Sequence, residues 1–203
     1  MATMMRWYFL RHGEIESNLK KVYAGWNEEG LTPLGIRQAT EAGYKLLNLG
    51  IEAIYCSPLR RTVETANIIG RIIGKKPICE DSFKELRLGI WEGMSEEEIA
   101  ERFPEQWRIW NTRPAELVLE GRETLHELLE RVLNGIAKIR AKVRDKSVLI
   151  VTHVAIIRVL LLHSRGMSLN LYRTISVPNG QVFELENPWS IESELEEQRH
   201  LVK

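Results

Sequence analysis

Histidine and arginine recur just where apolar, strand-like runs end. Arg11-His12 follows the run Met5-Arg6-Trp7-Tyr8-Phe9-Leu10, Arg60-Arg61 comes shortly after residues 51–56, and His153 follows residues 147–152. In a parallel sheet such ends lie along one edge, the edge where α/β folds place their ligand sites. Two histidines and several arginines gathered there make a cationic pocket for a dianion. Arginine suits phosphate because its planar fork presents paired donors and stays charged. A neutral imidazole can attack phosphorus, and the phosphohistidine so formed can be hydrolysed. The departing oxygen needs a proton, so an acid belongs nearby. Each residue also has a plainer reading. An Arg-His pair after a strand is more often surface than catalytic, and a histidine such as His153 is more often a hydrogen-bonded core residue. Arg60-Arg61 would ordinarily be the solvated start of a helix. Glu85 by itself says nothing among 28 acidic residues.

The elements that would position these residues are legible from periodicity. Residues 5–10 read as a strand that ends at Arg11-His12-Gly13-Glu14. Thr32-Pro33 reads as an N-cap followed by proline at the first helical position. Apolar residues then recur through Ala39, Ala42, Leu46 and Leu49 until Gly50 stops the run. Residues 51–56 are a second strand. Ser57-Pro58 opens a helix carrying Val63, Ala66, Ile69 and Ile73 before Gly74, and residues 77–79 are a short strand. Residues 82–93 are harder to assign and include loop, and 95–113 hold a short helical pattern with Trp107 and Trp110 three apart. Residues 124–143 form the clearest helix, with a stripe from Leu125 through Leu128, Val132 and Ile136 to Ile139. Residues 147–152 are a β-branched run typical of a buried central strand, and 155–162 begin another helix. Residues 174–177 and 181–185 flank Pro178-Asn179-Gly180, which predicts a hairpin turn. Strands alternating with helices predict an α/β fold: a three-layer α/β/α sandwich around a mostly parallel central sheet. The polar stretch 192–203 reads as a solvated or loosely helical tail.

Composition narrows the partners. The formal net charge is zero over 203 residues, so any anion site is local, and no basic excess points to nucleic acid or an acidic membrane. Residues 1–6 lack the apolar core of a signal peptide, and no apolar stretch reaches the ~20 residues of a membrane span. A cytoplasmic location is the default expectation. Cys56 and Cys79 each end an apolar run, which predicts buried free thiols. Two cysteines alone cannot build a zinc cage.

Several segments, in order, resemble the histidine phosphatase (phosphoglycerate mutase-like) superfamily. Leu10-Arg11-His12-Gly13-Glu14 with Asn18 resembles its R-H-G-E-x-x-x-N motif. Leu31-Thr32-Pro33-Leu34-Gly35 is similar to its L-T-x-x-G helix opening. The segment from Ser57 to Ala66 is similar to S-x-L-x-R-A-x-x-T-A, with Arg61 at the phosphate-binding position and Arg60 at the variable one. The segment from Glu85 to Gly93 resembles E-x-x-x-G-x-W-E-G, and Val151-Thr152-His153 resembles V-T/S-H. The matches span residues 5 to 153.

The resemblance implies one domain over residues 1–203, with a helical cap insertion at about 86–146. It implies that His12 is the nucleophile and Glu85 the proton donor. Arg11, Asn18, Arg61 and His153 would bind the phosphoryl oxygens. No metal or organic cofactor is implied, and the implied partner is a small phosphorylated substrate. A homodimer stays open. Val154 stands where the family usually has glycine after the second histidine, and Thr62 where alanine is common. A compact cap resembles the broad phosphatases and α-ribazole phosphatases. Glu120-Gly121-Arg122-Glu123-Thr124 occupies the place of the family's G-E-S/T segment. Trp107 and Trp110 would pack a helical face or cover substrate. The leading expectation is a phosphomonoester hydrolase working through phosphohistidine. The alternatives are a phosphoglycerate mutase and a non-catalytic phospho-ligand binding module.

Overall fold

A computed structural model describes residues 6–143 and 146–190. The tail expected at 192–203 lies outside the described residues. The chain runs β1 (Trp7–Arg11), α1 (Glu16–Leu19), α2 (Pro33–Leu46), β2 (Ile51–Cys56), α3 (Arg60–Ile73) and β3 (Pro77–Cys79). It continues through α4 (Glu96–Arg102), α5 (Pro104–Thr112), α6 (Leu125–Val143), β4 (Ser147–Thr152), α7 (Val154–Ser164) and β5 (Val182–Leu185). The sheet order is β3-β2-β4-β1-β5, parallel except for β5, which runs antiparallel along β1. Among the described residues no helix is long and apolar enough to cross a membrane.

Alternation along β1 sorts the three layers. Tyr8 and Leu10 pack with Ala42 and Leu46 of α2 and Ala66 and Ile69 of α3. Trp7 and Phe9 face the other way, into a cluster with Leu128, Val132 and Ile136 of α6 and Ile156 and Leu160 of α7. The period of two thus hands each face of the sheet its own helices. Residues 86–146, read as the cap, include α6, whose stripe belongs to this sheet-facing core. In α7 burial overrides propensity. Its β-branched Ile156, Ile157 and Val159 each cost up to ~0.7 kcal/mol in a helix, but their full burial returns roughly 1.5–3 kcal/mol each.

Local chemistry sets the helix starts. Thr32 caps α2 through a 3.0 Å bond from the Gly35 N–H, and Pro33 occupies the first turn. This cap contributes about 1 kcal/mol. The start of α3 differs from expectation: it begins at Arg60, with Leu59 as N-cap, because Ser57 is still held to β4 through the Val151 carbonyl. The segment 95–113 is two helices, broken where Pro104 follows Phe103. No hairpin forms at Pro178-Asn179-Gly180. Residues 169–174 are a 3-10 turn, and the strand that follows pairs with β1 instead. Cys79 is exposed, because β3 lies at the sheet edge, while Cys56 is buried; both are free thiols.

Candidate active site

The sheet order places β1 and β4 side by side, with β2 on the far flank of β4. The C-terminal ends of these three parallel strands therefore meet at one edge. His12 follows β1, His153 follows β4, and Ser57 follows β2. Backbone ladders carry on past the strands: the His12 N–H donates to the Thr152 carbonyl at 3.0 Å, and the Ser57 N–H to the Val151 carbonyl at 3.0 Å. The chain turns away from β1 against the start of α2. A β-carbon on Gly13 would meet the Gly35 carbonyl oxygen at 2.3 Å, and one on Gly35 would meet the Glu14 oxygen at 2.2 Å. Only glycine at both positions permits that approach, which explains the Gly13 and Gly35 of the two motifs.

A cleft of about 500 Å³ opens at this edge, a size suited to a small metabolite. Arg11, His12, Asn18, Arg61 and Glu85 line it. His153 is fully buried and does not line it, but its ring stands 5.3 Å from that of His12, at 62°.

The state of His12 follows from its partners. Nδ1 lies 2.7 Å from the Gly13 carbonyl oxygen. A carbonyl only accepts, so Nδ1 carries the proton and Nε2 keeps its lone pair. Burial first, then Arg61 and Arg11, hold the imidazole well below its ordinary range, so it is neutral. The same causes, burial first, depress His153. The His153 Nε2 sits 2.8 Å from Ser57 Oγ, which already accepts from the Leu59 N–H. Ser57 can then donate to Nε2, which leaves a proton on His153 Nδ1.

The arginines are fixed by backbone oxygens, not by acids. Arg11 Nη1 donates to the Val177 carbonyl at 2.6 Å. Arg61 Nη2 donates to the Gly25 carbonyl at 2.6 Å, and Nη1 to that of Asn27 at 2.9 Å. Their Nε atoms, and His153 Nδ1, are buried without a partner. Burial lowers Arg11 to about 10, which still leaves it charged at neutral pH. Arg60 turns outward and pairs with Glu64 at 2.7 Å. Asn18 accepts from the Ile15 N–H through Oδ1, which leaves Nδ2 as the donor available to an anion.

Glu85 is held from several sides. Arg131 of α6 donates to the carbonyls of Ser82 and Lys84 and forks onto Glu123 with two 2.7 Å bonds. The Trp26 indole donates to the Glu85 carbonyl at 2.7 Å. Burial pushes the Glu85 carboxyl up, against the Leu86 N–H, Arg61 and Arg11, which pull it down. Glu14 is occupied elsewhere, accepting from the Thr32 hydroxyl at 2.9 Å.

Sequence reasoning missed several contributors. Asn179, read as part of a turn, donates at 3.0 Å to both the His12 carbonyl and Asn18 Oδ1. Ser57 and Arg131 act at one remove, through His153 and the Glu85 loop. Nothing local in the sequence marks these contacts, which join residues 46 or more positions apart. Trp110 both packs against Trp91 and Tyr172 and lines the cleft, its indole donating to Tyr23 Oη at 3.0 Å. Trp107 packs on Trp91. Val154 lines the cleft at the first turn of α7.

Comparison with known proteins identifies the family. The model of the histidine phosphatase superfamily (branch 1) matches residues 7–188. Phosphoserine phosphatase 1 of Hydrogenobacter thermophilus is 30% identical over 176 residues, covering 87% of this chain and 83% of that protein. The bifunctional protein Rv2228c of Mycobacterium tuberculosis is 35% identical over 161 residues, 79% of this chain. The aligned region is only 44% of that longer protein. The solved structure of Bacillus stearothermophilus YhfR superposes with a TM-score of 0.83 at 26% identity, covering 89% of this chain and 90% of that one. By the family match and the fold, this chain belongs to the histidine phosphatase superfamily, branch 1.

Proposed function

We propose that this chain is a metal-independent phosphomonoester hydrolase, acting through a phosphohistidine at His12 on a small phosphorylated metabolite, and that residues 1–203 form one such domain. The observation that carries this reading is a set of buried nitrogens without partners: Arg11 Nε, Arg61 Nε and His153 Nδ1. They belong to residues grouped around an imidazole whose Nε2 lone pair is free. Buried donors are nearly always paired in folded proteins, and a phosphoryl group seated in the cleft against Arg11 and Arg61 would bring anionic oxygens to this donor-rich wall, with His153 standing behind His12. The similarity to a protein named as a phosphoserine phosphatase supports the same reading.

In this mechanism Arg11, Arg61, Asn18 and His153 hold the phosphoryl oxygens. His12 Nε2 attacks phosphorus, the ester P–O bond breaks, and Glu85 gives its proton to the leaving oxygen. Water then attacks the phosphohistidine, Glu85 takes a proton from that water, and the P–N bond breaks to release phosphate. The arginines supply the charge that a metal ion supplies elsewhere. The test is turnover of p-nitrophenyl phosphate, with mutase activity assayed in parallel. The unsubstituted protein should hydrolyse the ester, and His12→Ala should not. Undiminished turnover in His12→Ala would overturn the mechanism, and mutase activity exceeding hydrolysis would overturn the reaction class.

A further inference from the structure

The two cysteines of the chain meet across the sheet. Cys56 ends β2, Cys79 ends β3, and the parallel register sets them directly opposite each other. Their sulfurs stand 3.9 Å apart, in contact but unbonded. Neighbouring strands lie about 4.7–4.9 Å apart, and disulfides bridge Cα atoms separated by about 4.4–6.8 Å. Joining the sulfurs therefore asks for side-chain rotation and a small approach of the strands, not a new fold. β3 is placed to make that approach. It is three residues long, lies at the sheet edge, and has β2 as its single strand neighbour.

The two thiols differ in access. Cys79 is exposed, whereas Cys56 is fully buried in the cluster with Ala66 and Ile69 of α3. Burial, then Cys79, push the Cys56 thiol up, so it keeps its proton at neutral pH. An oxidant in solution meets Cys79 first, and the buried thiol stands behind it as the second partner.

Each cysteine is also the last residue before a segment that builds the candidate site. Ser57 follows Cys56 and holds His153 Nε2 at 2.8 Å, and Arg61 comes in the first turn of α3. After Cys79 the chain runs toward Glu85. The Glu80 N–H donates to the Cys56 carbonyl at 2.8 Å, and the Phe83 carbonyl accepts from the Thr152 hydroxyl at 2.9 Å. A bond between the sulfurs draws the roots of both segments together. A shift of about 1 Å in a positioned group can cost about 10²-fold in rate.

We propose that Cys56 and Cys79 form a redox modification site, which a peroxide closes into a reversible disulfide that slows the enzyme. The Cys79 thiolate attacks one oxygen of hydrogen peroxide, and the O–O bond breaks. Cys79 becomes a sulfenic acid, and the departing hydroxide takes up the proton that Cys79 gave up, leaving as water. The Cys56 sulfur then attacks the Cys79 sulfur, the S–O bond breaks, and the Cys56 proton leaves with that hydroxide as a second water. Two thiols are oxidised to one disulfide while one peroxide is reduced to two waters. A dithiol reductant reverses the change by exchange. Only the loss of rate rests on the phosphatase reading; the bond itself is read by mass.

The test exposes the unsubstituted protein to hydrogen peroxide and stops the reaction with catalase. Intact mass, peptide mapping, turnover of p-nitrophenyl phosphate and the vanadate-induced thermal shift are then read before and after dithiothreitol. The chain should lose two hydrogens, the peptides holding Cys56 and Cys79 should be linked, and turnover should fall roughly tenfold or more. Dithiothreitol should restore both mass and rate. Cys79→Ser, at the exposed position, should match the untreated rate and keep it through the same exposure. A mass that rises by oxygen atoms with no linked peptide overturns the inference, as does a disulfide between chains. So does a linked form with unchanged rate and vanadate shift, or an equal loss of rate in Cys79→Ser. Absent turnover before any peroxide marks failure of the phosphatase reading instead, and the linked peptide and the vanadate shift still decide the inference.

Discussion

Glu85→Gln separates proton donation from everything else this side chain does. Glu85 is 9% exposed, and its Oε1 accepts from the Leu86 N–H at 2.7 Å. Glutamine has the same shape and keeps an acceptor oxygen for that bond. Burial pushes the carboxyl up, and glutamine matches the shape and charge of its protonated form while removing only the proton. Anion binding should then persist, with vanadate affinity within about threefold of the unsubstituted protein, since no full charge is gained or lost. The chemical step should suffer according to the leaving group. An alkoxide needs a proton as it departs, and losing a positioned acid costs about 10²–10⁴-fold, or ~3–5.5 kcal/mol of barrier. Nitrophenolate leaves as a stable anion, so its loss should stay below about tenfold. The assay is kcat for 3-phosphoglycerate and p-nitrophenyl phosphate in parallel, with a vanadate titration beside it. A raised carboxyl loses its proton as pH rises, so the alkyl rate should fall on the alkaline side and the glutamine variant should lack that limb. Equal losses with both esters would refute the assignment. A tenfold tightening of vanadate would show that Glu85 is ionised at rest, and would refute it on electrostatic grounds.

The rest of the account makes further predictions. Phosphatase activity should survive excess EDTA, because the cleft lining is dominated by cations and offers no carboxylate cage; loss of activity restored by a divalent metal would contradict this. Vanadate should raise the melting temperature by binding only the folded pocket, and Arg61→Ala should weaken that shift. An unchanged shift in that variant would remove Arg61 from the pocket. Acidification should destabilise the fold. His12 and His153 are held neutral when folded and take up protons on unfolding once pH falls below about 6.5. More protons on the unfolded chain means stability drops with falling pH, by up to about 2.7 kcal/mol per unit for two sites, less about 1.4 where Glu85 protonates in the folded chain. Urea melts at pH 7 and 5.5 check this, and greater stability at pH 5.5 would contradict it.

The parts of this molecule that a local pattern can carry were legible in the sequence. Thr32-Pro33 marked the start of α2, because capping depends on neighbours a few residues apart. The β-branched run at 147–152 marked the buried central strand, since all six of its residues are buried. The site residues named in advance came from ordered motifs; the structure sets Arg11, His12, Asn18, Arg61 and Glu85 along one cleft, with His153 buried beside His12. What was not legible is what depends on distant partners. Pro178-Asn179-Gly180 has the composition of a hairpin turn, yet its Asn179 is committed to the loop after β1. Cys79 ends an apolar run just as Cys56 does, but strand order leaves it at the edge, and strand order is not written locally. The opening of α3 slipped to Arg60 because Ser57 is claimed by β4 and His153.

The central claim is that His12 becomes phosphorylated, and on a particular atom. The Gly13 carbonyl accepts a hydrogen bond from Nδ1–H, which keeps the proton on Nδ1, so only Nε2 has a lone pair for phosphorus. Rapid quench under alkaline conditions, which preserve phosphoramidates, followed by mass spectrometry and ³¹P NMR of the trapped protein reads both the residue and the nitrogen. The account predicts an acid-labile phosphoryl group on His12 Nε2 that disappears in His12→Ala. A phosphoryl group on His12 Nδ1, on His153 or on a serine, or hydrolysis with no phosphoprotein at any time point, would contradict it.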